Sequence, residues 1–258
     1  MEKVHLVYYS PALSTRKVLR IIGKGTGQLV KEHDITQAMT EPLWFDADDL
    51  VIFGVPVYAG RVPAGAAAII EKIKGTKTPA VIVCVYGNRD YDDALLELKN
   101  ICAKNDFKAI AGAAFIAQHS IFPKVGAERP DEGDRQAMMQ FGEKCNELYD
   151  LFLKSGSAEN LEVKGNFPYR EPTKVPFVPK TNSNCDSCGT CVKRCPVGAI
   201  NEDNPKKTDK KLCISCARCI TICPKKAKKF GGLLYTLVRR KFESAYSFRK
   251  EAELFLPD

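Results

Sequence analysis

No apolar run in this 258-residue chain approaches the ~18 residues that a membrane helix needs. The N-terminal "MEKVHLVYYS" enters a strand-like run at once, without a charged-then-apolar leader or a small-residue cleavage site. We therefore expect a cytoplasmic protein with no membrane insertion. No G-x-G-x-x-G follows a strand, so a dinucleotide loop of that type is not supported. "GKGTG" (23–27) follows a helix pattern instead and reads as a helix C-cap and turn. No nucleic-acid-binding module is present, and no nucleic-acid partner is expected. Tryptophan occurs once, as Trp44, and reads as packing.

What is present is an alternation of strands and helices. Apolar runs lie at 4–9, 50–55, 80–87 and 109–117, with a weaker one near 28–35. Most are nearly continuous, as parallel strands buried on both faces require. Helix patterns fall near 14–24, 63–74, 91–104 and 132–154. The expectation is an α/β fold: a doubly wound five-stranded parallel sheet. Ligands of such sheets bind beyond the strands' C-terminal ends. The loops at 10–15, 56–61, 87–91 and 118–122 are therefore the ones to inspect.

The organisation expected is a first domain over 1–154 and a proline-bearing linker over 155–180. A small cysteine-rich α+β domain covers 181–230 and a helical tail 231–258. In the tail, apolar residues at 234, 235, 238, 242, 245 and 246 have helical spacing. The bland reading of that tail is packing onto the body; docking a partner is the other.

Of 11 cysteines, eight lie between 185 and 223. "CDSCGTCVKRCP" (185–196) and "CISCARCITICP" (213–224) are both C-x2-C-x2-C-x3-C-P, repeated after 28 residues. A secreted disulfide framework fits poorly with the missing leader and the large apolar first half. Four-cysteine zinc sites also use C-x2-C pairs. They do not call for a third and fourth cysteine at this spacing, duplicated. In two-cluster ferredoxins, three thiolates two residues apart wrap one corner of a [4Fe–4S] cubane, and the fourth completes the other cluster. Cluster I then takes Cys185, Cys188, Cys191 and Cys223. Cluster II takes Cys213, Cys216, Cys219 and Cys195. Cys84, Cys102 and Cys145 read as core thiols.

Charge is uneven. Residues 1–160 carry a balance of −2 and residues 161–258 a balance of +10. Two oxidised clusters with their thiolates bring the latter to about +6. The lysines of "KKAKKF" (225–230) are the best patch for steering an acidic redox partner protein; a solvated face is the plain alternative.

"YYSPALSTRKV", "VPVYAGRVPAGA", "VYGNRDYDDALLELK" and "FIAQHS", with the cysteine repeat, resemble the flavodoxin–ferredoxin fusion proteins of anaerobes. The resemblance implies a flavodoxin-like FMN domain ahead of a two-cluster ferredoxin domain; two clusters of the exposed type lead us to expect oxygen sensitivity. The resemblance also implies three FMN loops. Ser10, Ala12, Leu13, Ser14 and Thr15 would hold the phosphate. Pro56, Val57, Tyr58, Ala59 and Gly60 would flank the isoalloxazine, with Tyr58 stacking and Gly60 in the flexible peptide. Tyr86, Gly87, Asn88, Arg89 and Tyr91 would line the other side. Tyr58 and Tyr91 could instead only cap the sheet. His119 and Ser120 could reach the ring's edge, though an ordinary surface or core histidine is the plainer reading of His119. The first loop departs from the family pattern, with alanine at 12 and leucine where glycine is common at 13. A left-handed backbone at Leu13 would cost ~1–2 kcal/mol. The function implied is electron transfer between FMN, two [4Fe–4S] clusters and a redox partner. An FMN-dependent reductase of a small molecule, fed by the clusters, is the alternative; Tyr58, Arg61 and His119 are its proton-donor candidates. A redox sensor without turnover is a third.

Overall fold

The computed structural model describes residues 3–37 and 41–257. Strands β1 (Val4–Tyr8), β3 (Leu50–Pro56) and β4 (Thr78–Tyr86) are buried at every residue. β2 (Val30–Asp34) lies at one edge with its charged side chains in solvent. β5 (Phe107–Ile116) completes a parallel set in the order β2-β1-β3-β4-β5. That is the flavodoxin-like order, whose switch point lies between β1 and β3.

Alternate residues of β4 face opposite layers. Ala80, Ile82, Cys84 and Tyr86 join one core cluster, while Val81, Val83 and Val85 join the other. Helices α2 (Ala64–Ile70) and α3 (Ala94–Lys104) cover the first face, and α1 (Ser14–Gly25) and α4 (Glu132–Ser155) the second. Cys84, Cys102 and Cys145 are buried in these layers. Beyond α1, Gly27 turns through a left-handed backbone at φ 70°.

The cysteine-rich segment is held by short elements: β6 (Lys180–Thr181), α5 (Thr190–Lys193), α6 (Arg218–Thr221) and β7 (Lys228–Lys229). β6 and β7 pair antiparallel. Next come α7 (Leu233–Ala245) and β8 (Glu253–Phe255). β8 adds an antiparallel sixth strand beside β5, so the sheet is mixed rather than five-stranded and wholly parallel. β8 is only three residues long, too short to stand out as a strand pattern, which is why the tail reads as helix only.

A third apolar cluster joins the parts. It unites Ile121, Phe122 and Val125 after β5, Phe177 of the linker, Ala217 of the cysteine segment, and Phe230 and Tyr235. Trp44 does not pack as expected: it is 71% exposed, held through its backbone to Lys74.

Candidate functional site

The eight clustered cysteines surround two cavities. Cys185, Cys188, Cys191 and Cys223 line one; Cys195, Cys213, Cys216 and Cys219 line the other. Each cavity thus takes three thiols from one run and one from the other. The repeat extends to the backbone. Left-handed residues recur 28 positions apart at Ser187 and Ser215, Gly189 and Ala217, and Gly198 and Lys226. So do two N–H···S bonds, from Ala199 to Cys195 and from Ala227 to Cys223, both 3.3 Å. Among the described residues, no group of three or more His, Cys, Asp or Glu is gathered closely enough for a single metal ion. Four thiols spread around a cavity suit a cubane better than a zinc ion. Burial pushes the Cys216 and Cys219 thiols up to about 12, so thiolates here need a cationic core to offset their desolvation.

A second, larger space of about 930 Å³ opens at the C-terminal ends of β1, β3, β4 and β5. Ser10, Ala12, Ser14, Thr15, Pro56, Val57, Tyr58, Ala59, Gly60, Tyr86, Gly87 and Arg89 line it, as do His119 and Ser120. Leu13, Asn88 and Tyr91 do not line it. Leu13 is the N-cap of α1 and adopts φ 66°, the left-handed conformation that costs a non-glycine residue ~1–2 kcal/mol. Asn88 turns to the tail: its amide donates to the carbonyls of Tyr246 (3.0 Å) and Phe248 (2.7 Å). Tyr91 is fully buried, and its hydroxyl donates to Glu253 of β8 at 2.7 Å.

The first loop is shaped for an anion. It ends at the α1 N-terminus, where N–H groups and the helix dipole favour negative charge. The Ser10 hydroxyl accepts from Arg16 N–H at 3.0 Å, steadying that terminus. Thr15 Oγ1 is buried and has no hydrogen-bond partner, which a phosphate oxygen would supply. The residues therefore fit the FMN phosphate.

The second loop is a two-residue turn. Tyr58 and Arg61 exchange both backbone bonds (3.0 and 3.1 Å), with Ala59 at φ 52° and Gly60 at φ 83°. This is the paired left-handed geometry of a tight hairpin. A Cβ at Gly60 would strike Asp92. The Gly60 carbonyl accepts from Asp93 N–H at 3.0 Å; the peptide after Gly60 is thereby fixed. Arg61 is a strut: it grips Glu97 twice (2.7 and 2.8 Å) and donates to the Arg170 carbonyl at 2.6 Å. Burial drives the Tyr58 phenol well up, with the Cys216 thiol adding to it. His119 Nδ1 accepts N–H bonds from Ile121 (3.1 Å) and Phe122 (3.2 Å). The ring proton therefore sits on Nε2, and burial holds the imidazole down to about 4.

Residues 184–228 match the family described as 4Fe-4S dicluster domain. With the flavodoxin-like strand order already established, that match decides the architecture. The chain joins a flavodoxin-like domain to a 4Fe-4S dicluster domain. Among curated relatives, a tetrathionate reductase subunit of Archaeoglobus fulgidus is 32% identical over 101 residues, covering 36% of this chain and 48% of that protein. The arsenate respiratory reductase iron-sulfur subunit ArrB of a Shewanella species is 35% identical over 64 residues, covering 24% and 26%. The fusion thus spans under half the length of these relatives. A short-chain flavodoxin associated with a non-canonical PDU bacterial microcompartment aligns at 16% identity and a TM-score of 0.44, over 58% of this chain and 99% of its own. The strand order, not that likeness, carries the fold.

Three features of the fusion escape a reading by motif. First, Val197, Cys213 and Ile214 line both the cleft and the cluster II cavity. Second, Arg218 is buried between the two domains. Third, Lys228 of the supposed surface patch is buried, donating to Thr181 Oγ1 and the Pro205 carbonyl, both at 2.9 Å. Charged residues read as surface in a sequence; only the repeat marks these two, because their partners 28 positions earlier are Thr190 and Ile200.

Proposed function

We propose that this protein transfers electrons between FMN in the cleft and a protein partner by way of cluster II and then cluster I. The observation that carries this order is the shared wall: Val197, Cys213 and Ile214 border both the cleft and the cluster II cavity. The cluster I set lies at the other end, where Cys188 is exposed. When bound, FMN supplies a two-electron store that one-electron clusters can fill or draw down. Loop 10–15 would hold its phosphate, and the 56–60 and 86–89 loops would flank its ring. Lys225, Lys226 and Lys229 are exposed, and Lys225 lines the cluster I cavity. Cations there suit an acidic partner at the outer cluster. One curated relative being an iron–sulfur subunit of a respiratory reductase supports the same reading.

The test uses anaerobically purified protein carrying FMN and both clusters. Flavin is photoreduced and the clusters are followed by rapid-freeze EPR. A cluster signal should rise as reduced flavin is consumed. Flavin that stays reduced while both clusters stay oxidised would sink the proposal.

The small-molecule reductase keeps one observation in its favour. About 930 Å³ is at the upper end of small-molecule pockets, ~300–1,000 Å³. The cleft extends past the flavin loops to Arg170, Lys174 and Lys211. Turnover of a soluble quinone by the cluster-reduced protein would favour that reading; its absence alongside rapid transfer to a protein acceptor would favour the first.

A further inference from the structure

Arg218 is the one described residue that hydrogen-bonds the phosphate loop from the cluster segment. Its Nη1 donates to the Ser10 carbonyl at 3.1 Å and the Pro11 carbonyl at 3.3 Å. The residue also lines the cluster II cavity. Its Nε is buried and has no hydrogen-bond partner, although a buried guanidinium N–H left unpaired is costly. The residue is only 6% exposed. The matching place in the other half of the repeat is Thr190, which cannot reach so far or carry charge.

Both ends of this side chain have chemical work available. In a trans peptide the C=O and N–H point opposite ways. Drawing the Pro11 carbonyl toward Arg218 therefore turns the Ala12 N–H the other way. The Ser10 carbonyl is also tied by Leu13 N–H at 3.2 Å, so the turn 10–13 is held from both sides. Loop carbonyls that would repel an anion are thereby kept occupied. At the other end, Nε–H has no acceptor among the described residues, and the inorganic sulfides of a bound cluster II would offer one. Hydrogen bonds and positive charge at a cluster favour its reduced, more negative state.

We propose that Arg218 serves both cofactors at once: it positions the phosphate loop for FMN and, through Nε–H, stabilises reduced cluster II. This rests on FMN occupying the cleft, as proposed above, for its first arm only. The second arm stands on the cluster ligands alone.

The experiment compares Arg218→Met, Arg218→Gln and Arg218→Lys with the parent protein, with iron and sulfide counted in each. FMN affinity is read by flavin fluorescence quenching, and cluster midpoints by EPR-monitored redox titration of flavin-free protein. Arg218→Met should weaken FMN binding at least tenfold, ~1.4 kcal/mol. It should also lower the cluster II potential, raising its oxidised-to-reduced ratio about tenfold at fixed potential, ~59 mV for one electron. Cluster I should stay in place. Arg218→Lys should keep most of the cluster II potential and lose FMN affinity, because charge remains and the fork does not. If Arg218→Met loses a cluster, Arg218→Gln is read in its place. An unmoved cluster II midpoint, or equal shifts of both clusters, overturns the proposal. So does iron loss in both neutral variants with full iron in Arg218→Lys, which would mark a purely structural residue. FMN that fails to bind the parent protein overturns the proposed function and the first arm, and the cluster II midpoint still decides the second. FMN binding with unchanged affinity in every variant overturns the first arm alone.

Discussion

The two halves of the cysteine repeat share a backbone and differ in their surroundings. Left-handed residues and N–H···S bonds recur 28 positions apart, so the same loop is built twice. The walls of the two cavities are not alike. Where the cavity proposed for cluster II is lined by Val197 and Ile200, that for cluster I is lined by Lys225 and Lys228. Where the first cavity has Thr190, the second has Arg218. Duplication supplies two equal sites; three side-chain pairs then make one a neighbour of the cleft and the other a terminal facing solvent.

The largest expected effect comes from removing one cluster at a time. Cys216→Ala should abolish electron exchange between flavin and cluster I, because the intermediate centre is lost. Cys188→Ala should leave exchange between flavin and cluster II intact. Flavin photoreduction followed by EPR separates them. Equal loss in both variants would break the assigned order.

A smaller effect is expected from exchanging walls. Lys228→Ile copies the other half and removes a buried ammonium from the cluster I cavity. Its potential should fall, about threefold in oxidised-to-reduced ratio, ~30 mV. The variant should also cost ~1–3 kcal/mol, since Thr181 Oγ1 and the Pro205 carbonyl lose their donor. A redox titration and a thermal melt measure the two.

The smallest concerns the backbone. Gly189 and Ala217 hold φ 73° and 61° at matched places. Nothing lies within 4 Å of a Cβ at Gly189, so Gly189→Ala meets only the left-handed penalty, ~1–2 kcal/mol. Ala217→Gly should gain less than ~1 kcal/mol, because glycine also frees the unfolded chain. Iron-release rates under mild denaturant report both.

Much of this was legible in the chain. β1, β3, β4 and β5 are nearly continuous apolar runs because the parallel sheet buries most of both their faces. Their ends then point to the cleft without knowledge of any ligand. β2 reads weakly because an edge strand keeps its charges. What stayed hidden depends on partners far away in sequence. Asn88 and Tyr91 sit in the right loop, yet their side chains answer the tail at Tyr246, Phe248 and Glu253. Lys228 looks like its exposed neighbours until its two acceptors are seen. Trp44, expected inside, lies outside because nothing in its own segment says which side the chain will turn.

The position of β8 bears on how the protein is made. Its place beside β5 is taken by residues 253–255, which leave the ribosome after the whole cysteine segment. During synthesis the edge of β5 waits bare, a template for another chain. The tail that supplies β8 is docked through Tyr235 against Ile121, Phe177 and Ala217, so its grip leans on a segment that the proposed clusters would organise. Iron shortage would therefore reach beyond electron flow: apo chains keep an open strand edge for longer, and crowding of such edges is a route to aggregates.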